Sequence, residues 1–398
     1  MNAIIGIITP EAERFLEAMA QELEIPRSRY EHADSRFHSL GDWFGRPEST
    51  IRHYDPQIYV QGSFRLGTAI RPWTEAEDYD VDSVCVLRLL DKGSLTQEQL
   101  KWLVGYEIEL YAKAHGMAKP VREGRRCWVL EYADGAQFHM DIVPAVPDEA
   151  DQRALLQRHM LDAAVAKTAI SITDREDKGY RIFTRDWPRS NPKAYSEWFR
   201  AKVVAVEVKR RKDGIRAEVE NMPTFRIRTP LQSAVMILKR HRDRMFAKRP
   251  DERPISVIIT TLAAHAYGGE LTIGKALVSI LSRMDQFIET VNGVDYIKNP
   301  TDPLENFADK WGKHPERRAA FHEWLRQARA DFYNAAVMTA KQDMAKAVQD
   351  GVGVGLAEKA RARAVGIGAP AFLSGTTIGS AAAASTRSIR AAGGGRNA

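Results

Sequence analysis

The sequence predicts an α+β protein in which a mixed sheet with helices precedes a mostly helical region. Segments typical of strands and helices alternate in the first 150 residues, whereas beyond Pro147 apolar residues recur mainly at the helical spacing of three to four. The chain has 398 residues, which exceeds the usual length of one domain. We therefore predict a sheet-containing core over 1–150, an α-helical domain over 151–350 and a flexible tail over 351–398.

Composition excludes several classes of protein. Hydrophobic residues make up 44% and charged residues 28% of the chain, which excludes wholesale disorder, and no apolar run approaches the ~20 residues that span a bilayer. Met1–Thr9 lacks the basic segment and cleavage site of a signal peptide. Cys85 and Cys127 each lie in an apolar stretch, which predicts two reduced thiols rather than a disulfide or a zinc site. We therefore expect a cytoplasmic protein with no membrane association.

Net charge is concentrated near the C-terminus. The chain carries a net charge of +6, and beyond Gly351 the single acid Glu358 is outnumbered by basic residues, namely Lys359, Arg361, Arg363, Arg387, Arg390 and Arg396. The preceding residues are therefore nearly neutral. A protein that binds a nucleic-acid polymer needs a basic surface, so we expect no strong nucleic-acid binding.

The elements of the first part follow from local signals. Thr9-Pro10 supplies an N-cap and a proline at the first helical position. β-branched and aromatic residues bounded by small residues predict the strands. The predicted helices begin at Pro10 and cover about Arg27–Phe44 and Leu95–Ala114, and the predicted strands are Ile58–Val60, Asp78–Leu90, Arg126–Tyr132 and Ala136–Val143, the last two joined by a turn at Ala133–Gly135.

The second part is predicted from helix start signals. Asn191-Pro192, Thr229-Pro230 and Ser256 each precede an apolar stripe at helical spacing. Helical periodicity also covers Arg317–Asp350. Beyond Gly351 the chain is rich in glycine, alanine and serine, which predicts a flexible tail.

Three aspartates and a glycine–serine pair form the strongest candidate site. Gly62-Ser63 follows a predicted strand, and Asp80 and Asp82 open the next one. Side chains two residues apart on a strand project to the same side about 6–7 Å apart. Asp141 lies among apolar neighbours in another predicted strand, where its desolvation has to be offset. Mg²⁺, with Mn²⁺ as the alternative, would offset it because hard cations prefer oxygen ligands.

Simpler interpretations compete with this site. Asp-x-Asp pairs are common on solvent-facing strands, although chance rarely supplies the whole ordered set. A phosphate-binding P-loop is excluded because Thr68 stands where that motif requires lysine. Asp78 is interpreted as a strand-end residue. His139 shares a strand face with Asp141 and either lines the site or is a structural histidine, and Tyr195 is interpreted as a core residue.

These motifs resemble a known superfamily. Gln61-Gly62-Ser63, Asp80-Val81-Asp82 and Asp141 resemble the polymerase-β-like nucleotidyltransferases, which include poly(A) polymerases, tRNA-terminal enzymes and oligoadenylate synthases. Motifs of the helical half narrow the resemblance to the bacterial cGAS/DncV-like nucleotidyltransferases, and these motifs are Ser190–Tyr195, Thr229–Gln232, Leu238–Asp243, Asn299-Pro300 and Glu305–Phe307. The resemblance covers about residues 10–345.

The resemblance implies a fold and an activity. The fold is a polymerase-β-like core packed on a helical nucleotide-binding domain. The activity is synthesis of a cyclic di- or trinucleotide second messenger from ATP, with or without a second nucleoside triphosphate, releasing pyrophosphate in anti-phage defence (CBASS). The implied catalytic and metal-binding residues are Asp80, Asp82 and Asp141, and the implied nucleotide-binding residues are Gln61, Gly62, Ser63, Lys239, Ser256 and Asp309.

The C-terminal tail has two interpretations. It is either a disordered solubilising end or a small-residue terminus, Gly393–Ala398, that a conjugating enzyme threads into a narrow channel. Related synthases are joined through the C-terminal carboxylate to targets by ubiquitin-ligase-like proteins, which makes Ala398 a candidate conjugated residue. Another operon-encoded activator, and a downstream effector reached through the product, are the other implied partners.

Two other functions use the same residues differently. A transferase that extends RNA or makes linear oligoadenylates would need the same acids, but the nearly neutral body argues against a polymer substrate. A non-catalytic scaffold is disfavoured because all three aspartates are present.

Overall fold

The computed structural model describes residues 8–73, 78–132, 138–207 and 228–366. The α-helices are α1 (Pro10–Glu22), α2 (Arg27–Gly45), α3 (Gly62–Leu66), α4 (Gln97–Ala114), α5 (Glu149–Arg158), α6 (Pro192–Glu207), α7 (Pro230–Met245), α8 (Ser256–Ala266), α9 (Ile273–Arg283), α10 (Pro315–Val337), α11 (Lys341–Val352) and α12 (Val354–Ala364). The strands are β1 (Pro56–Val60), β2 (Tyr79–Leu87), β3 (Arg122–Glu123), β4 (Trp128–Tyr132), β5 (Phe138–Pro147), β6 (Ile170–Ile172), β7 (Arg189–Ser190), β8 (Glu289–Val291), β9 (Val294–Tyr296), β10 (Lys298–Asn299) and β11 (Asp302–Asn306). The helices predicted from Asn191-Pro192, Thr229-Pro230 and Ser256 are confirmed.

The main sheet is mixed, which confirms the predicted α+β class. Its strands run in the order β1-β2-β5-β4-β3. β6 also pairs with β5, and β7 pairs with β6. β2 pairs with β1 antiparallel and with β5 parallel, whereas β4 and β5 are antiparallel. The parallel register sets Asp82 opposite Asp141 and Asp80 opposite His139. The predicted turn at Ala133–Gly135 lies outside the described residues.

One hydrophobic core joins the sheet to helices α2 and α4. Phe37 and Leu40 of α2 and Val104 and Ile108 of α4 are fully buried against strand residues such as Val81. Buried aliphatic and aromatic side chains of this size each contribute about 1.5–3 kcal/mol. This packing holds β2 and β5 rigidly in their places.

A second core unites the helical half, and it includes α1. Phe15 and Met19 of α1 pack in the same cluster as Leu238, Trp324 and Phe332. The expectation that residues 1–150 form one unit is therefore wrong for α1. The helical pattern of α1 was visible in the sequence, but an amphipathic face does not identify its partner.

The predicted flexible tail does not begin at Gly351. Helix α11 continues to Val352, Gly353 breaks it with a φ of +94°, and α12 follows with Ala357 and Ala360 buried. The buried face of α12 consists of small alanines, so its composition resembles that of a linker. The part of the tail from 367 to 398 lies outside the described residues.

Within the described ranges, no helix combines the length and the apolar character needed to span a membrane. Cys85 is buried and Cys127 half-buried, and both are free thiols, as predicted.

Candidate active site

The turn after β1 brings backbone close to an acid. Gly62 adopts a φ of +58°, and a Cβ placed on it would lie 2.3 Å from Asp82 Oδ2. The Gln61 N–H donates to the Asp82 carbonyl oxygen at 2.8 Å. Only glycine provides both this backbone conformation and this space. Glycine at position 62 is therefore required by the approach of α3 to β2.

Helices of the other half hold this turn in place. Arg65 Nε donates to Ser196 Oγ of α6 at 2.7 Å. Gln232 Nε2 of α7 donates to the Leu66 carbonyl oxygen at 2.9 Å, and Lys239 Nζ donates to that of Thr68 at 2.9 Å. The two halves of the protein are thus joined at the turn.

The three predicted acids converge on the paired strands. Asp80 and Asp82 share one face of β2, and Asp141 occupies the neighbouring strand β5 in register with Asp82. One ligand atom each of Asp80, His139 and Asp141 lie within 4.8 Å of one another, and His139 Nε2 is 3.3 Å from Asp80 Oδ1. Cys127 Sγ donates to Asp141 Oδ2 at 3.3 Å. His139 therefore lines the site.

The protein compensates the negative charge of the buried carboxylates only in part. Burial raises the pKa of Asp82 to about 7, assisted by Asp80 and Asp141 and opposed by Lys239. Burial, with Asp80, also raises the pKa of Asp141. Asp141 Oδ1 is buried and has no hydrogen-bond partner among the residues that the structure describes. A bound divalent cation would satisfy that oxygen and favour the ionised carboxylates, so the donor set fits such a cation.

A cavity of about 630 Å³ opens beside the acids, a volume in the range of small-molecule sites. The turn, the paired acids and both halves of the protein contribute walls. The lining residues include Gly62, Ser63, Thr68, Asp78, Asp80, Asp82, Ser190, Asn191, Tyr195, Lys239, Arg242, Ser256, Asn299, Glu305 and Phe307. Sequence reasoning singled out part of this set.

Basic groups from α7 reach the cavity beside the acids. Lys239 is 7% exposed, and burial, with nearby Arg242, lowers its pKa to about 8. Arg242 donates to Ser256 Oγ at 2.6 Å and also pairs with Asp243. Ser256 begins α8, where backbone N–H groups favour anions. This wall can receive negatively charged oxygen atoms.

The cavity wall also contains residues that the sequence analysis did not assign to the site. Arg242 and Glu305 were not proposed as site residues, and Tyr195 was interpreted as core. Tyr195 donates to or accepts from Thr261 Oγ1 at 2.7 Å, and its ring contacts that of Phe307. Tyr195 is thus both packed and part of the cavity wall. These residues lie within motifs that carry the family resemblance, but local spacing assigns them no role, because they reach the site only through the packing of α6, α7 and β11.

Four predicted positions are not among the residues that line the cavity, namely Gln61, Asp141, Asp309 and Ala398. Gln61 bonds to β2 through its backbone N–H, and Asp141 lies on β5 in register with Asp82. Asp309 is exposed beyond β11, and its charge raises the pKa of Arg125 together with the larger effects of Asp174 and Glu176. This placement does not support a direct nucleotide contact. Ala398 lies outside the described residues.

The chain is similar to known nucleotidyltransferases. Residues 56–144 match the family model for the nucleotidyltransferase domain of cyclic GMP-AMP synthase DncV-like proteins. A c-di-GMP synthase of Roseivirga ehrenbergii is 29% identical over 320 residues, covering 78% of this chain and 77% of that protein.

Solved structures share the fold. Cyclic dinucleotide synthase CdnG of Bradyrhizobium diazoefficiens is 24% identical over 333 residues, covering 78% of this chain and 72% of its own. Its structure in complex with GTP aligns with a TM-score of 0.64 at 19% identity over 88% of this chain and 98% of that one. CdnC of Escherichia coli MS115-1, solved with a HORMA protein, aligns with a TM-score of 0.57 at 15% identity over 87% of this chain and 97% of that one.

The matched domain contains the glycine–serine turn and all three aspartates, and the relatives align well beyond it into the helical half. Residues 56–144 are therefore a DncV-like nucleotidyltransferase domain, and the chain is a nucleotidyltransferase similar to cyclic dinucleotide synthases.

Proposed function

We propose that the protein makes a cyclic dinucleotide from nucleoside triphosphates and releases pyrophosphate. The observation that carries this proposal is that Asp80 and Asp82 line one cavity with the Gly62 turn and Lys239, while Asp141 lies on the neighbouring strand in register with Asp82. Anionic and cationic walls facing one space suit a triphosphate with bound cations. A degenerate binding scaffold would have no need of two desolvated acids, Asp82 and Asp141, beside a third, Asp80.

The reaction joins a ribose hydroxyl of one nucleotide to the α-phosphorus of another. The hydroxyl oxygen attacks in line, the bond from phosphorus to the pyrophosphate oxygen breaks, and the hydroxyl proton is lost. A second transfer within the linear intermediate closes the ring. Asp141, whose Oδ1 lacks a protein partner, is proposed to lie nearest the attacking hydroxyl.

Asp80, Asp82 and Asp141 would hold Mg²⁺, or alternatively Mn²⁺. When bound, the cation would neutralise triphosphate charge and make the hydroxyl more acidic. The donors are oxygen atoms on paired strands, which is the ligand chemistry that such cations prefer.

The remaining predicted residues would bind the triphosphate. The Gly62 and Ser63 backbone can approach phosphate closely because neither residue has a bulky side chain, while Gln61 anchors the turn. Lys239 and the N-terminal end of α8 at Ser256 supply positive charge and N–H groups. These residues would thus bind the triphosphate of the substrate and position its α-phosphorus for attack.

Relatives guide the choice of substrate. ATP, alone or with a second triphosphate, is the substrate that the family resemblance implies. The Roseivirga relative is named a c-di-GMP synthase and CdnG was solved with GTP, which supports GTP as at least one substrate here. We therefore propose GTP, with ATP as the second candidate substrate.

A defence role and regulatory partners complete the proposal. The cyclic product would activate a downstream effector in anti-phage defence. CdnC is in complex with a HORMA protein, which supports an operon-encoded activator as a partner for this chain. Conjugation through Ala398 by a ubiquitin-ligase-like protein is the alternative. Mass spectrometry of the intact protein, expressed with such a partner, would detect that conjugate.

Product analysis tests the function directly. The protein is incubated with each radiolabelled nucleoside triphosphate and Mg²⁺, treated with phosphatase and analysed by chromatography. We expect a phosphatase-resistant cyclic product that disappears in the Asp80→Ala, Asp82→Ala double variant. Synthesis by that variant would refute the assignment, and growth only of added RNA or linear oligoadenylate would favour the alternative transferase.

A further inference from the structure

A wall of the cavity carries a carboxylate that the proposed chemistry does not use. Glu305 and Phe307 both line the cavity. The intervening Asn306 bonds to the segment at the end of β9, where its Oδ1 accepts the N–H of Ile297 and its Nδ2 donates to the Asp295 carbonyl oxygen. The alternation of an extended segment therefore sets Glu305 and Phe307 toward the cavity.

Glu305 is both accessible and partly desolvated. Its side chain is exposed to solvent. The surrounding protein nevertheless removes part of the water around its carboxyl group, and this desolvation raises the pKa of Glu305. Among the described residues, its hydrogen-bond partner is Asn299, whose Nδ2 donates to Glu305 Oε2 at 2.6 Å. Oε1 has no corresponding partner in that part of the chain. An accessible acceptor in a cavity that also holds an aromatic ring is suited to a ligand.

The neighbouring amide fixes which atoms of Glu305 accept. Asn299 Oδ1 accepts the backbone N–H and the hydroxyl of Thr301, each at 2.9 Å. A backbone N–H can only donate, so this contact determines the orientation of the amide. Asn299 must then present its NH₂ group to Glu305 Oε2. That pairing leaves Oε1 of this cavity-lining carboxylate available as an acceptor.

Guanine presents the matching donors. Its N1–H and N2 amino groups lie side by side and can donate together to one carboxylate, whereas adenine presents an acceptor at N1. We infer that Glu305 is a specificity-determining residue that selects a guanine base by accepting hydrogen bonds from N1–H and the N2 amino group. This inference rests on the proposed function, and it identifies GTP as the nucleotide at that position.

Aromatic side chains beside Glu305 support a base rather than a ribose. Phe307 is half-buried in the cavity wall, and its ring centroid lies 6.3 Å from that of Tyr195 in an edge-to-face arrangement. A planar base can stack on an aromatic ring while its polar edge meets a neighbouring side chain. The turn and acids of the opposite part of the wall receive the phosphates.

The decisive variant is Glu305→Gln. The glutamine oxygen keeps the hydrogen bond from Asn299, so its NH₂ group occupies the position of Oε1 and replaces an acceptor with a donor. The change is nearly isosteric and preserves the local contact, so the fold is retained. Glu289→Gln is the matched control, since Glu289 is exposed on β8 and pairs with Lys298.

Binding of α,β-methylene analogues of GTP, ITP and ATP is measured by calorimetry with Mg²⁺ present. The wild-type protein should bind the GTP analogue about 5- to 100-fold more tightly than the ATP analogue, with ITP between them because it lacks the N2 amino group. Glu305→Gln should reduce or reverse that ratio, and Glu289→Gln should keep it.

An equal loss for all three analogues in Glu305→Gln would overturn the inference, as would an unchanged ratio. Product analysis separates this failure from failure of the proposed function. If wild-type protein forms a cyclic product with an unchanged base preference in the variant, only the role of Glu305 is wrong. If wild-type protein forms no cyclic product, the proposed function itself is wrong.

Discussion

Replacing Gly62 with alanine should damage catalysis far more than stability. The new Cβ would lie 2.3 Å from Asp82 Oδ2, whereas ordinary contact begins at 3.4 Å, so the carboxylate must move by about 1 Å. A displacement of that size at reacting groups can reduce a rate about 100-fold. The φ of +58° adds a backbone cost of about 1–2 kcal/mol for alanine.

Gly116→Ala separates these two effects. Gly116 has nearly the same φ, +59°, but a Cβ there would meet nothing within 4 Å. Both variants should therefore lose about 1–2 kcal/mol in urea denaturation. Only Gly62→Ala should show the roughly 100-fold loss of kcat for cyclic product under saturating triphosphate and Mg²⁺.

Two results for the Gly62→Ala and Gly116→Ala variants would contradict this reasoning. If Gly62→Ala synthesises product at a rate within about threefold of Gly116→Ala, Asp82 does not need its observed position, contrary to the estimate for misplaced reacting groups. If Gly62→Ala is instead unfolded under conditions where Gly116→Ala is folded, the contact limits stability rather than catalysis.

Three further outcomes are expected. Because burial raises the pKa of Asp82 to about 7 and the carboxylate form binds cations, Mn²⁺ affinity by calorimetry should increase about tenfold from pH 6 to pH 8, and Asp82→Asn should remove this dependence. Lys239→Gln should raise the KM for triphosphate by about 10-fold or more in steady-state kinetics. In the wild-type protein the KM should rise above pH about 8, where Lys239 loses its proton. A KM that does not depend on pH would contradict this role of Lys239. Glu107 is buried and accepts hydrogen bonds from Arg46 and Thr50, so Glu107→Ala should lower the free energy of unfolding by about 3 kcal/mol, whereas exposed Glu109→Ala on the same helix should change it little.

The parts of the candidate site that depend on local spacing could be predicted from the sequence. The Asp80 and Asp82 pair follows from strand alternation, and the Gly62 turn follows from a small residue after a β-rich segment. The Thr229 cap likewise predicts the start of α7, and the structure shows its reciprocal hydrogen bonds with Gln232. Each of these features is contained in a few consecutive residues, so local geometry determines it.

Other parts depend on contacts between distant segments. The parallel pairing of β2 with β5 places Asp141 beside Asp82, although the intervening chain contains α4 and two further strands. Lys239 reaches the Thr68 carbonyl oxygen across 171 residues of chain. Spacing along the sequence identified the acids but could not establish their register or the approach of the lysine.

The sequence by itself determined the mixed composition of elements, the helix starts and the residue types able to hold a cation. Tertiary structure alone decided that α1 joins the helical core, that the chain after Gly351 continues as a packed helix, and that Glu305 faces the cavity. The physical reason is that periodicity reveals which face of an element is apolar, while the surface that covers this face is chosen by packing among all the elements. Residues brought to a site only by that packing carry no local signature.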